Sequence, residues 1–223
     1  MAVEMSIQEY IRERSDRDGF ETAMFIYQSA LTQMGSRIEV LNSELNHMHS
    51  YNPIEYVKSR LKTPESIMKK LRKNGHNLNI EDMIEYVNDI AGIRITCSFF
   101  SEIYFVADMI ARQDNLEVIS IKDYISQPKE SGYKSYHMLL SIPVALGDAK
   151  VPTKVELQIR TMAMDFWASL EHKINYKFEG NAPEHIKDEL YACARMVSAL
   201  DAKMLSLNEA IQAIEKEQEQ KSL

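Results

Sequence analysis

Two carboxylates and an island of positive charge carry the chemistry that this sequence offers. In VELQIR (155–160), alternation sets Val155, Leu157 and Ile159 on one face and Glu156, Gln158 and Arg160 on the other, which is strand spacing. Asp89 stands just before a second alternating run, IAGIRITCSF (90–99). There a strand end can present a carboxylate to a cleft, although a lone Asp also serves as a turn or cap residue. Two carboxylates on separate strands are what a Mg²⁺ shared between protein and nucleotide phosphates requires. The basic island is residues 60–73, with Arg60, Lys62, Lys69, Lys70, Arg72 and Lys73 against the single acid Glu65. Arg60 and Lys62 alternate on an extended approach. Ser66 falls in the first turn of the helix that follows, and Lys70 is four residues further along the same face. A helix start with free N–H groups, a hydroxyl and lysines suits a polyphosphate, whereas a bare charge run is a solvated face. A third element is the stretch 122–137, where Lys122, Lys129 and Lys134 interleave with Tyr124, Tyr133 and Tyr136 around Ser131-Gly132. Bases stack on aromatic rings for about 1–3 kcal/mol each; a polar hairpin loop with tyrosines is the plainer reading. His137 falls at the loop-to-strand junction, on the opposite face from Tyr136 and Met138. The six histidines form no metal cluster by spacing, and GxxxxGK[ST], HExxH and GxSxG are absent from the sequence.

The elements that must position these groups follow from periodicity and turn chemistry. Residues 24–48 and 190–214 carry apolar side chains at alternating spacings of three and four, which predicts two long amphipathic helices with a heptad seam. Either seam could pack on the chain's own core or form an oligomer interface. Thr63-Pro64 predicts a helix start that Asn74-Gly75 ends, and a helix over 80–88 follows. Strands are expected at 90–99, 116–122, 135–144 and 153–160, the last two joined across Gly147-Asp148. Helices are expected over 101–113 and 162–177. The fold class is therefore α/β (α+β), a central mixed β-sheet flanked by helices with long N- and C-terminal helices. The chain divides as an N-terminal helical region (1–50), a catalytic α/β core (51–180) and a C-terminal helix (181–223), all within one domain, 1–223.

Composition narrows the function. With 45% hydrophobic residues in 223, a sizeable core forms without staples. The two cysteines, Cys97 and Cys193, lack paired spacing, which excludes a disulfide framework or a cysteine zinc site. The opening MAVEMSIQEY has Glu4 and Glu9 and no apolar leader core, so a cytoplasmic location is expected. A net charge of −7 argues against broad binding to DNA or to a membrane surface. RNA is not indicated, though a local basic site leaves it open.

Taken in order, RLKTPESI (60–67), DIAGIRI (89–95), KESGYKSYH (129–137), ELQIRT (156–161) and MDFWASLEH (164–172) resemble the synthetase domain of the RelA/SpoT family, specifically the stand-alone small alarmone synthetases (RelQ/RelP type). The resemblance covers residues 50–180, approximately, and implies a nucleotidyltransferase-like sheet. It further implies pyrophosphate transfer from ATP to the 3′-hydroxyl of GDP or GTP, with GMP a third candidate acceptor, releasing AMP and making ppGpp or pppGpp. By motif match, Asp89 holds Mg²⁺, and Glu156 shares that ion or takes the proton from the attacking hydroxyl, both roles being favoured. Arg60 and Arg94 sandwich the adenine, while Lys62, Ser66 and Lys70 grip the ATP phosphates. Tyr133 stacks on guanine, Lys122, Lys129, Lys134 and His137 contact acceptor phosphates or ribose, and Gln158 lines the acceptor site. A homotetramer is also implied. No adjacent His-Asp pair occurs, so hydrolysis of the product is not expected. Chemistry adds one inference: a carboxylate at Asp165 can accept from both guanine N1–H and the 2-amino group, which would select guanine over adenine. The competing readings are a nucleotidyltransferase moving AMP, a pyrophosphokinase acting on tRNA or an adenine nucleotide, a catalytically dead nucleotide-binding module, and a helical scaffold.

Overall fold

The computed structural model describes residues 2–15, 18–48, 51–178 and 181–221. His49, and the expected segment boundaries at 49–50 and 179–180, lie outside the described residues. In chain order the elements are β1 (Val3–Glu4), α1 (Ile7–Arg14), α2 (Gly19–Met48), β2 (Ile54–Leu61), α3 (Pro64–Lys73), α4 (Ile80–Tyr86), β3 (Ala91–Cys97), α5 (Phe100–Ala111), β4 (Glu117–Asp123), β5 (Tyr136–Leu146), β6 (Ala149–Thr161), α6 (Met162–Lys177) and α7 (Glu184–Lys221). The sheet order is β2-β3-β6-β5-β4, with β1 joined in parallel to the start of β6. β3 and β6 run parallel at the centre and the other neighbours on the path are antiparallel, which bears out the expected mixed sheet between long helices.

Period-two alternation divides the sheet into an apolar and a polar face. Ile93, Ile95, Leu157, Ile159, Met138 and Leu140 are buried in one core with the inner stripe of α2, including Ile26, Met34, Ile38 and Leu45, and with Ile103, Val106 and Ile110 of α5. Burying each such side chain contributes roughly 1.5–3 kcal/mol. On the opposite face the register sets Lys58, Arg94, Gln158, His137 and Lys122 in one row across β2, β3, β6, β5 and β4. Arg60, Gly92 and Glu156 form the adjacent row. The sheet is thus a core wall on one side and a polar platform on the other.

Several boundaries differ from the periodicity reading. The extended approach at Arg60 is the end of a full edge strand, β2, whose charged and exposed positions hide its alternation. β6 starts four residues earlier than expected, because Gly147-Asp148 makes a two-residue turn with Gly147 at φ +58°, so that Leu146 pairs directly with Ala149. The seam of α2 is buried from Tyr27 to Leu45, while that of α7 is covered only at its inner end, with Cys193 and Leu200 already exposed. Leu190, Ala194 and Val197 pack with Trp167 and Tyr133, and the Trp167 indole Nε1–H donates to the Leu190 carbonyl at 3.0 Å. Beyond Asp201, Met204, Leu207, Ile211 and Ile214 are 46–56% exposed. Among the described residues no helix is long and apolar enough to cross a membrane.

Thr161 fastens α7 to the end of β6. Its hydroxyl donates to Asp201 Oδ2 at 2.7 Å and accepts from the Met164 N–H at 3.1 Å, capping α6. The 123–135 loop meets α7 at Gly132, which adopts φ +83°; a Cβ there would lie 2.5 Å from Ala194 Cβ. Gly132→Ala is therefore expected to cost about 1–3 kcal/mol of stability through the positive φ and the collision. Ala194→Gly in that background should recover part of the loss, which thermal and denaturant unfolding of the two variants would measure.

Candidate active site

The polar platform opens into a cavity of about 370 Å³ lined by Lys58, Ser59, Arg60, Asp89, Gly92, Ile93, Arg94, Glu156 and Gln158. Asp89 is delivered by the turn between α4 and β3, and Glu156 by the middle of β6, directly opposite Gly92. Gly92 adds no side chain beside Glu156, so the floor there stays open to a ligand.

Each carboxylate has its own supporting set. Lys62 Nζ lies 2.7 Å from Asp89 Oδ2, and Lys70 Nζ, reaching from α3, lies 2.7 Å from Oδ1. Burial pushes the Asp89 carboxyl up, but these two hydrogen-bonded ammonium groups more than reverse it and hold its pKa below the ordinary carboxylate value. Glu156 Oε2 accepts from Gln158 Nε2 at 2.8 Å, and Oε1 lies 3.6 Å from His137 Nδ1. Burial again raises the pKa, and His137 and Gln158 outweigh it, while the Asp89 charge works against them; the net direction is down. Both groups are therefore anionic at neutral pH and close enough for the charge of Asp89 to act on Glu156.

A divalent cation fits this pair. Magnesium is held by one or two carboxylates plus substrate phosphates rather than by an all-protein cage. Among the described residues no group of three or more His, Cys, Asp or Glu is disposed to hold a metal on its own, so phosphate oxygens would complete the shell.

The remaining expected site residues divide into those the fold gathers and those it does not. Arg60 and Arg94 line the cavity from adjacent strands, Arg60 exposed and Arg94 half-buried. Tyr133 and His137 stand beside it, the Tyr133 hydroxyl 2.9 Å from His137 Nε2, and Lys129 Nζ lies 4.8 Å from the Tyr124 and Tyr133 ring centroids. Ser66 is exposed at the start of α3, where its N–H donates to the Thr63 cap at 3.3 Å. Lys122 is exposed on the edge strand β4, opposite His137. Lys134 points into a separate recess with Asp201 and Trp167, because the turn at Gly132 directs it toward α7.

Asp165 needs correction against the expectation that it reads a base. It is 5% exposed, its Oδ1 pairs with Arg94 Nη1 at 2.9 Å and Arg160 Nη1 at 3.1 Å, and its Oδ2 accepts from the Tyr56 hydroxyl at 3.3 Å. That carboxylate is spent on protein donors beneath the platform and does not line the cavity.

Sequence reasoning passes over Arg160 as a site residue. It is 4% exposed, and its Nη2 donates to the Tyr133 hydroxyl at 2.6 Å and to Gln158 Oε1 at 2.9 Å, with Nε to Ser135 Oγ at 3.2 Å. The signal is present in VELQIR, where Arg160 shares the face of Glu156 and Gln158. Tyr56, Lys58 and Ser59 are hidden with β2.

Comparison with known proteins identifies the family. Residues 59–181 match the family described as a region found in RelA / SpoT proteins. The GTP pyrophosphokinase YwaC of Bacillus subtilis is 41% identical over 87% of this chain and 92% of its own length. Among solved structures, the small alarmone synthetase 2 of Bacillus subtilis superposes with a TM-score of 0.79 at 40% identity, covering 86% of this chain and all of that one. The small alarmone synthetase 1 of the same organism, bound to its product pppGpp, gives 0.82 at 33% identity, covering 86% and 98%.

The lowered carboxylate pKa values set a pH dependence. Because the folded values lie below the unfolded ones, the stability these groups contribute is complete above about pH 5 and is lost as pH falls through the unfolded and then the folded values. Denaturant unfolding from pH 5 downward is expected to show falling stability. Asp89→Asn should flatten that slope by at most about 1.4 kcal/mol per pH unit, the limit for one proton.

Proposed function

This chain belongs to the RelA/SpoT family, and from that premise we propose that it is a GTP pyrophosphokinase making (p)ppGpp. It moves the β,γ-pyrophosphate of ATP to the ribose 3′-hydroxyl of GDP or GTP. The bond formed joins O3′ to the β-phosphorus, the bond broken is the α,β-bridging P–O bond, and AMP leaves. The observation that carries this reading is the meeting of Asp89 and Glu156 at one cavity, with lysines behind the first and the His137–Gln158 pair behind the second.

The roles follow from chemistry. Attack at phosphorus needs positioning and charge neutralisation more than covalent help. Asp89 and Glu156 would hold Mg²⁺ together with the triphosphate, whose charge the ion would offset. Glu156, anionic and partly exposed to the cavity, is suited to accept the proton of an unactivated sugar hydroxyl. Arg60 and Arg94, on adjacent strands, suit an adenine held between planar guanidinium groups. Lys62 and Lys70 direct their charge to the donor phosphates, and Ser66, at the exposed start of α3, can donate to the outermost. Tyr133 offers its ring to guanine, while His137, Gln158, Lys129 and Lys122 lie on the acceptor side. The proposal leaves Lys134 out of the acceptor site, since its recess with Asp201 is separate.

We treat residues 1–223 as one synthetase domain that assembles as a homo-oligomer, a tetramer by resemblance. The support for assembly is the uncovered stripe of Met204, Leu207, Ile211 and Ile214 on α7. Two free cysteines, Cys97 buried and Cys193 exposed, accord with a reducing cytoplasm.

Incubation with ATP, Mg²⁺ and GDP or GTP is expected to yield AMP and a 3′-pyrophosphorylated guanine nucleotide by mass. Inorganic pyrophosphate with an adenylated product would favour the nucleotidyltransferase reading instead. Glu156→Gln should lose turnover by two orders of magnitude or more, on the order of 10²–10⁴-fold for a lost base, while nucleotide binding by calorimetry persists. Leu207→Lys combined with Ile211→Glu should lower the mass seen by light scattering; an unchanged mass would remove α7 from the interface.

A further inference from the structure

Beneath the platform one carboxylate stands between the two halves of the site. Asp165 Oδ1 pairs with Arg94, which the proposed activity places on the donor adenine, and with Arg160, which supports the acceptor side. From Arg160 two routes lead to the two oxygens of Glu156. Along one, Arg160 Nη2 occupies Gln158 Oε1 at 2.9 Å, which fixes the amide so that Nε2 faces Glu156 Oε2 at 2.8 Å. Along the other, Nη2 donates to the Tyr133 hydroxyl at 2.6 Å, that hydroxyl meets His137 Nε2 at 2.9 Å, and His137 Nδ1 lies 3.6 Å from Glu156 Oε1.

The charge balance makes Asp165 indispensable to this arrangement. Two guanidinium groups share a single carboxylate, so without it their like charges face each other with no counter-charge between them. Burial and the neighbouring Arg160 charge pull the pKa of Arg94 down, and Asp165 opposes them. Arg160 is enclosed and cannot leave, whereas the Arg94 side chain is 33% exposed and can swing into solvent. Arg94 Nε is buried with no partner, so Nη1 on Asp165 is its anchor among the described residues.

We propose that Asp165 is a positioning residue that sets the donor arginine, the acceptor tyrosine and the catalytic carboxylate together, and that it does not read the guanine base. The inference rests on the pyrophosphokinase activity and deepens it: a single buried charge makes donor and acceptor binding depend on one another. Groups that orient ligating or catalytic side chains in this way typically cost 10–100-fold in activity when removed.

The test uses the full chain, with KM for ATP, KM for GDP, kcat, and the choice between GDP and ADP as acceptor. Asp165→Asn is expected to raise both KM values together, fivefold or more, and to lower kcat by about 10–100-fold, with the preference for GDP unchanged. A base-reading residue would do the reverse, relaxing acceptor choice while leaving KM for ATP alone, and that result would overturn the proposal. Should Asp165→Asn not fold, Tyr56→Phe decides, since it deletes only the hydroxyl that donates to Asp165 Oδ2. Both KM values should then rise roughly two- to threefold, and values equal to wild type would overturn the proposal. Lack of product from the wild-type chain would instead refute the activity, and the inference with it.

Discussion

Parallel pairing of β3 with β6 is the constraint from which the site follows. Gly92 stands opposite Glu156 and Arg94 opposite Gln158, so four residues that line the cavity meet along one hydrogen-bonded seam. The same strands bury Ile93, Ile95, Leu157 and Ile159 on the other face. A slip of one residue would exchange the faces, sending Arg94 and Glu156 into the core and isoleucines into the cavity. Burying an unpaired charge costs far more than burying an aliphatic side chain returns. The forces that fold the core therefore also hold the site in register, and the platform needs no separate scaffold.

The electrostatics reconcile an acidic chain with ligands that are polyanions. A net charge of −7 is a property of the whole surface, and at physiological salt exposed charges are screened over about 8 Å. The positive charge around the cavity is local: Arg60 and Arg94 line it, and the Lys62 and Lys70 ammonium groups are held against Asp89, which lines it too. That ion-paired triad keeps Asp89 ionised despite burial, which a metal-holding carboxylate requires. It also keeps the lysines extended toward the cavity before any phosphate arrives. Deeper down, Asp165 offsets only one of two guanidinium charges, leaving the platform cationic beneath its polar surface.

Legibility in the sequence follows the physics of each signal. Strands with one apolar face announce themselves by alternation, so β3, β5 and β6 are readable, and with them the side of the sheet that carries Arg94, Glu156, Gln158 and His137. β2 reads only as an extended approach, because an edge strand exposed along most of its length has no apolar face to betray it. The short α1 and β1 carry too few core positions to register. Among site residues, those fixed by strand register share the one polar face that alternation assigns them. Lys134, held by loop conformation, does not, since no pattern in KESGYKSYH states which way a residue after a left-handed glycine points. The sequence marks Asp165 as important without revealing its role, because that role lies in contacts with Arg94, Arg160 and Tyr56, brought together from separate strands.

The two heptad stripes show what periodicity leaves undetermined. Residues 24–48 and 190–214 have the same spacing, yet α2 lies along the sheet and buries its stripe through Leu45, while α7 covers Leu190 and Val197 in part and carries its stripe from Leu200 onward into solvent. A three-and-four pattern says that a face will be covered and not by what. α7 spans 38 residues, roughly 57 Å if straight, and its inner half is tied down at Leu190 through Trp167, at Asp201 through Thr161, and at Ala194 through the close approach of Gly132. The loop bearing Tyr133 therefore rests on the helix whose outer half is uncovered. Tyr133 in turn accepts from Arg160, whose partner Asp165 also holds Arg94, so a load on the outer half of α7 reaches both arginines through that one carboxylate.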